Sequence, residues 1–144
     1  TMTILLRSMK AEDCDMVYAW QSQPGRRRYS RNPAIPSYEE HCQWMAKTLE
    51  NSDRNSFIVE YEGKAAGLLR ADHRGSGIYE VSILIDEGFE GKGIARAALA
   101  AMEAKFKGVT FHAEIFDENV KSIQLFTKSG YTYQSERLYI KRIP

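Results

Sequence analysis

The stretch DEGFEGKGIARAALAAMEAKF (86–106) places Gly88, Gly91 and Gly93 within six residues and then enters an Ala-rich helix. Glycine at that density weakens regular structure, so the backbone there must turn tightly or meet a partner closely. The first N–H groups of the following helix have no intrahelical acceptor and aim back at the loop, which suits an anion, phosphate above all. A P-loop needs GxxxxGK and then Ser or Thr; here Lys92 is followed by Gly93, and no hydroxyl is placed for magnesium. A dinucleotide fingerprint GxGxxG aligns with Gly91 and Gly93 but ends on Arg96, with Glu114 or Asp117 near the position of its acidic partner. That motif comes late, behind a hairpin, and too little chain follows it for a doubly wound sheet. A plain strand-to-helix turn remains an alternative on the local pattern alone.

The elements that must position this loop are legible in the apolar periods. TILLRS (3–8) reads as a first strand, and AEDCDMVYAWQS (11–22) puts Met16, Val17 and Trp20 on one helical face. The Pro-, Gly- and Arg-rich QPGRRRYSRNPAIP reads as a loop, ended by a second helix over 37–50 that Ser37 and Glu40 announce as a capping box. SFIVEYEGKAAGLLRAD predicts a hairpin turning at Glu62–Gly63–Lys64, and GIYEVSILID (77–86) a third β run leading into the glycine loop. A helix over 94–107 closed by Gly108, a strand over 109–116, a helix over 119–129 closed by Gly130 and two short strands complete the chain. The order β-α-α-β-β-β-α-β-α-β-β makes residues 2–144 one α/β (α+β) domain with about four helices, a mainly antiparallel sheet and one late β-α-β crossover. Thr1 ahead of Met2 reads as a remnant of cloning.

Composition narrows the partners. A formal charge of +1 gives no global attraction to nucleic acid or to a membrane surface. Cys14 and Cys42 lack CxxC spacing and the three histidines are scattered, so no metal cluster is expected and the thiols read as free in a reducing compartment. No apolar run reaches the roughly 20 residues of a membrane span and no signal-peptide pattern is seen, so a cytoplasmic setting is expected.

EGKGIA (90–95) resembles the R/Q-x-x-G-x-G/A motif of the GCN5-related N-acetyltransferases (GNAT), whose loop cradles the pyrophosphate of acetyl-coenzyme A (acetyl-CoA). SILID matches that family's strand before the loop, NVKSIQLFTKSGY (119–131) its later Asn-bearing helix, and the element order is also the family's. The resemblance implies a sheet that splays at strands 80–86 and 109–116, with the thioester in the gap. It implies cofactor contacts from Gly91, Lys92, Gly93, Ile94, Ala95 and Arg96, from the backbone of Ile83, Leu84 and Ile85, and from Asn119 and Phe126. The Ile85 N–H is the implied oxyanion donor, and direct attack by the amine needs no covalent enzyme intermediate. The usual Arg or Gln of the motif is Glu90 here, an acid that Lys92 and Arg96 are placed to offset. Seven residues beyond Asn119 the family often has a Tyr that protonates the thiolate; this chain has Phe126, with Tyr131 as a conceivable substitute. Glu114 and either Glu80 or Tyr79 are the candidate bases, and strand alternation lets only one of the last two face the cleft. Homodimers occur in the family, which leaves that state open.

The early loop QPGRRRYSRNPAIPSYEEHCQW looks like that of amino-sugar N-acetyltransferases of the pseudaminic-acid and related nucleotide-sugar pathways. Arg26, Arg27, Arg28 and Arg31 offer charge to a diphosphate, while Tyr29, His41 and Trp44 offer rings to stack. The resemblance implies a small-molecule amine acceptor, a nucleotide sugar, held by Arg28, Tyr29, Asn32 and His41. A solvated basic loop over packed aromatics is the other reading of the same residues. A protein or peptide N-acetyltransferase, and a CoA-binding domain without transfer activity, are the alternatives in function.

Overall fold

The computed structural model describes residues 2–144; Thr1 lies outside the described residues. Strand β1 (Ile4–Ser8) is followed by a 3₁₀ turn, helix α1 (Cys14–Gln21) and helix α2 (Tyr38–Glu50). The Ser37 side chain accepts from the Glu40 N–H at 3.1 Å and Glu40 reaches back to the Ser37 N–H at 2.8 Å, so the expected capping box starts α2. Strands β2 (Arg54–Tyr61), β3 (Lys64–His73) and β4 (Ile78–Ile85) form an antiparallel meander. Its first turn holds Glu62 and Gly63 at positive φ, 51° and 82°, the backbone a two-residue hairpin turn requires.

Helix α3 (Ile94–Glu103) crosses to β5 (Val109–Glu114), and α4 (Val120–Lys128) leads into the hairpin of β6 (Thr132–Ser135) and β7 (Leu138–Ile143). The observed order is the one the apolar periods predict. Helix α3 ends at Glu103, short of the expected 107, and a turn carries the chain to Gly108. The seven strands lie in the order β1-β2-β3-β4-β5-β7-β6, and only β4 and β5 run parallel.

Both faces of the sheet are covered. Val17, Trp20, Met45, Ile58 and Leu68 pack under α1 and α2, while Leu69, Val81, Leu99, Met102 and Phe111 pack under α3 and α4. Leu68 and Leu69 are consecutive and go to opposite layers, which is why β3 reads as a nearly continuous apolar run. Each such side chain contributes roughly 1.5–3 kcal/mol by burial, so this core fixes the strands that frame the site. Among the described residues no helix is long and apolar enough to cross a membrane.

One irregularity in the sheet matters most. Strands β4 and β5 pair only at Ile78–Thr110, Tyr79–Phe111 and Glu80–His112. Beyond that point β4 stays with β3 as far as Ile85, and β5 stays with β7 as far as Glu114. The two middle strands therefore part, and the expected splay is open from residue 81 onward.

Candidate active site

At the wide end of the gap, the chain leaves β4 through Asp86, makes a short 3₁₀ turn and reaches the glycine loop. Gly91 and Gly93 sit at φ 76° and 78°, left-handed backbone that side chains rarely adopt, and Gly93 starts α3 with no side-chain cap. The loop borders a cavity of about 240 Å³, shared with Ile83, Ile85, Phe89 and the Leu125 face of α4. Ile94, Ala95 and Arg96 line it; Lys92 is exposed and does not.

Glu90 is offset by other cations than the sequence suggests. Arg26, from the loop after α1, and Lys121, on α4 at 3.1 Å, pair with it across the cavity mouth. The Lys121 hydrogen bond, with the charge of Arg26, holds the Glu90 carboxyl below the usual carboxylate range against the effect of burial. Lys92 and Arg96 make no ion pair among the described residues. The correction is spatial: Arg26 and Lys121 lie 64 and 31 positions from Glu90 in sequence, out of reach of any local pattern.

The ladder on β4 shows which amides face the gap. The Asp86 N–H donates to the Ala66 carbonyl at 2.8 Å, and the Arg74 N–H to the Ile78 carbonyl at 2.8 Å. In this register the even residues of β4 bond to β3, so the N–H and C=O groups of Ile83 and Ile85 point toward the side that β5 has left. Leu84 differs from the expectation: its backbone groups belong to β3, and its side chain joins the α1–α2 layer. A row of strand groups without a strand partner, ending at a positive-φ glycine cradle and Arg96, fits an extended chain that ends in a pyrophosphate. This is the form of the pantetheine arm of CoA.

Alternation sends Glu80 on β4 and His112 and Glu114 on β5 to the α1–α2 side of the sheet. There they line a larger cavity, about 700 Å³, together with Arg31, Arg74 and Arg137. Arg31 bridges the two strands, donating to Glu114 at 2.5 Å and to Glu80 at 2.6 Å, while its own side chain is 64% exposed. Glu80 also pairs with Arg74. Burial acts to raise the Glu80 carboxyl, but the Arg74 and Arg31 guanidiniums outweigh it and hold it below the usual range. The far wall comes from the β6–β7 turn with Glu136 and Arg137.

Tyr79 faces the other way, its ring 4.9 Å from that of Phe106 and near Phe111, so of the pair at 79 and 80 it is the glutamate that reaches the cleft. Asn119 caps α4, its side chain accepting from the Ser122 N–H at 3.3 Å, and it is not among the residues lining the cofactor cavity. Phe126 is buried edge-on against Tyr131, ring centroids 4.9 Å apart, and lines neither cavity; Ser122 and Leu125 occupy the cavity face of α4 instead. One residue is 100° on a helix, enough to turn Phe126 into the core. Tyr131 is buried as well, and burial pushes its hydroxyl far above the usual tyrosine range.

In the early loop, Arg28 and Tyr29 lie exposed against each other, and Asn32 folds its side chain onto the Ala34 N–H, so none of the three lines a cavity. His41 is 1% exposed, donates from Nε2 to the Cys14 carbonyl at 2.9 Å and is stacked on Trp44, which places it inside the α1–α2 layer rather than at the cleft. The loop residues that do reach cavities are Arg26, Arg27, Ser30 and Arg31. Sequence reasoning passed over His112, Arg74 and Arg137 altogether. Only the alternation of His112 with Glu114 along β5 carried a signal for any of them.

A family model described as an acetyltransferase (GNAT) domain matches residues 3–132. Spermidine N(1)-acetyltransferase of Escherichia coli K12 is 26% identical to this chain, over 95% of the chain and 77% of its own length. Among solved structures, a domain from Methanocaldococcus jannaschii superposes with a TM-score of 0.83 at 23% identity, covering 99% of this chain and 100% of that one. Spermidine N-acetyltransferase of Vibrio cholerae, solved with CoA and spermine, gives a TM-score of 0.78 at 19% identity, covering 96% and 92%.

Proposed function

The chain belongs to the GNAT acetyltransferase family and is an acetyl-CoA-dependent N-acetyltransferase, and from that premise we propose that its acceptor is a nucleotide-linked amino sugar. One observation carries this reading. The cavity of about 700 Å³ beside the splay is lined by Arg31, Arg74 and Arg137 as well as by Glu80, Glu114 and Glu136. A wall of both signs suits a ligand that carries an amine and a phosphate together, and the volume lies within the range of small-molecule sites. A polyamine, all cation, is served better by carboxylates alone. The family relation to a spermidine acetyltransferase and the Glu80–Glu114 pair favour a polyamine as the second reading.

Acetyl-CoA supplies a thioester whose acetyl group the amine can attack directly, so no enzyme nucleophile is needed. The chain's part is to hold the amine, take its proton and stabilise negative charge. Glu80 and Glu114 grip a guanidinium now; an acceptor ammonium takes that place once exposed Arg31 moves aside. Glu80 keeps Arg74 as partner and stays an anion that orients the amine. Glu114 is left without an ion-pair partner among the described residues, and it serves as the base. The Ile85 N–H, free on the gap side, donates to the charge that builds on the carbonyl oxygen. With Phe126 and Tyr131 in the core, water returns a proton to the thiolate, in the cavity that Ser122 lines. A cytoplasmic setting fits the two free thiols, Cys14 and Cys42.

The test is the release of CoA thiol with a UDP-linked 4-amino sugar and with spermidine, side by side. The nucleotide sugar should give the higher kcat/KM by about tenfold to a hundredfold, the worth of one or two charge-assisted hydrogen bonds. A preference for spermidine would overturn the acceptor reading and leave the family assignment intact.

A further inference from the structure

A third cavity, about 180 Å³, lies between the early loop and the stretch of β4 that has left β5. Arg26, Arg27 and Arg70 line it with Gln21, Ser30 and Ser82, and no carboxylate does. The arginines are not equally engaged. Arg26 is ion-paired with Glu90, although its Nη2 makes no hydrogen bond of good geometry. Arg27 donates from Nη2 to the Asn32 carbonyl at 2.8 Å, and Arg70 from Nη2 to Asp72 at 2.7 Å, yet the Nε of each is buried without an acceptor. A buried donor left unpaired is uncommon in folded proteins and points to an absent partner. Two such donors on guanidiniums lining one small cavity point to an anion.

Arg70 is also held in place. Its guanidinium lies over the Trp44 ring at 5.3 Å, and Trp44 is itself stacked on buried His41. Its partner Asp72 lies 4.0 Å from Arg74 as well, so two guanidiniums share one carboxylate, whose Oδ1 is also buried without a hydrogen bond. A planar guanidinium fixed on an aromatic face is preorganised for two parallel bonds to a phosphate oxygen pair. Ser30 and Ser82 add hydroxyl donors. Ser82 lies two residues from Glu80 on the same face of β4, and the cavity shares Arg26 and Ile83 with the cofactor cavity.

We infer that Arg27 and Arg70 form an anion subsite that takes a phosphate group of the acceptor, separate from the glycine loop that takes the phosphates of the cofactor. The inference rests on the nucleotide-sugar reading for its ligand and on the unpaired donors for its place. Its probe is inorganic pyrophosphate, titrated calorimetrically into protein already saturated with CoA, so that the glycine loop is filled. Pyrophosphate should bind, and Arg27→Gln should weaken it at least about tenfold, the loss of one charge-assisted hydrogen bond. Arg70→Lys, which keeps the charge but removes the Nε–H, should weaken it similarly. Arg27→Gln should also raise KM for the acceptor while KM for acetyl-CoA stays constant. Absence of binding to the CoA-saturated protein, or binding that Arg27→Gln leaves unchanged, overturns the subsite; Arg27 lies in a loop outside the core, so that variant folds even if the change at Arg70 does not. Pyrophosphate binding without turnover of the nucleotide sugar would instead refute the acceptor and leave the subsite standing.

Discussion

Replacing Ile85 with proline isolates a single amide. Proline removes one N–H, and in β4 the consequence depends on parity: even residues donate to β3, odd residues face the gap. At 85 the lost donor is therefore the proposed oxyanion donor and not a ladder bond, a position at which a strand tolerates proline. Gly67 lies opposite, and a Cβ there would press on the Leu84 carbonyl and approach the Ile85 Cδ1 to 2.9 Å, so the missing side chain keeps this pairing open. Losing part of a half-buried isoleucine costs roughly 1 kcal/mol of stability. Loss of an oxyanion donor costs about 10²–10³ in kcat, or about 2.7–4 kcal/mol of transition-state stabilisation. Leu84→Pro is the control: it deletes a bond to β3 and leaves its acceptor unpaired, which should destabilise the domain by about 1–3 kcal/mol. The assay is kcat from thiol release at saturating substrates, with CoA affinity by calorimetry and the urea midpoint for each variant. A folded Ile85→Pro protein whose kcat stays within about threefold of the parent, under 1 kcal/mol, would refute the assignment of that amide.

The two carboxylates should separate in kinetics. Glu114→Gln should lower kcat by about 10²–10⁴, with partial recovery as rising pH frees more of the amine, whereas Glu80→Gln should act mainly on acceptor KM; the reverse pattern in pH-rate profiles would exchange their roles. Asp13 offers a test of stability. It is buried and accepts two hydrogen bonds from Arg7, both 2.9 Å, which hold its carboxyl below the usual range. Its contribution should be complete above the unfolded value near pH 4 and fade as pH falls through the lower folded value. Asp13→Asn should cost about 1–3 kcal/mol at pH 7, since Arg7 is one-third exposed, and the gap in urea midpoint from the parent should narrow below about pH 4.

The fold was legible because its signals are local. Ser37 and Glu40 mark a helix start at a spacing any helix imposes, and Glu62–Gly63 marks a turn by its backbone requirement. The glycine loop was legible for the same reason. What failed to show in the sequence depends on distances through space. The count of seven from Asn119 falls on Phe126, but it is the neighbouring Leu125 that lines the cavity, and only the packing of Phe126 against Tyr131 shows it. His41 has the look of a ligand-stacking residue, but its burial between α1 and α2 comes from the packing of two helices. Arg74 and Arg137 join Glu80 and Glu114 through strand ends and a turn that no periodic pattern ties together.

The early loop also resolves the oddest residue of the motif. An acid at position 90 is unfavourable beside a pyrophosphate only if its charge is free, and here Arg26 and Lys121 bracket it. Both cations line the cavity with Glu90 as their counter-ion, so they are held in place without a ligand. The same loop supplies Arg27 and Ser30 to the small cavity and Arg31 to the carboxylate pair. Gln23 ties its start to the strand exit, donating to the Asp86 carboxylate at 2.7 Å and accepting from the Glu87 N–H at 3.3 Å. The segment of nine residues from Gln23 to Arg31 thus supplies side chains to all three cavities. Its Arg31 must leave the carboxylates for the acceptor to bind, while its Arg26 end is fixed to the cofactor loop. On the proposed reading, then, the Arg31 end of the loop moves while the Arg26 end stays paired with Glu90.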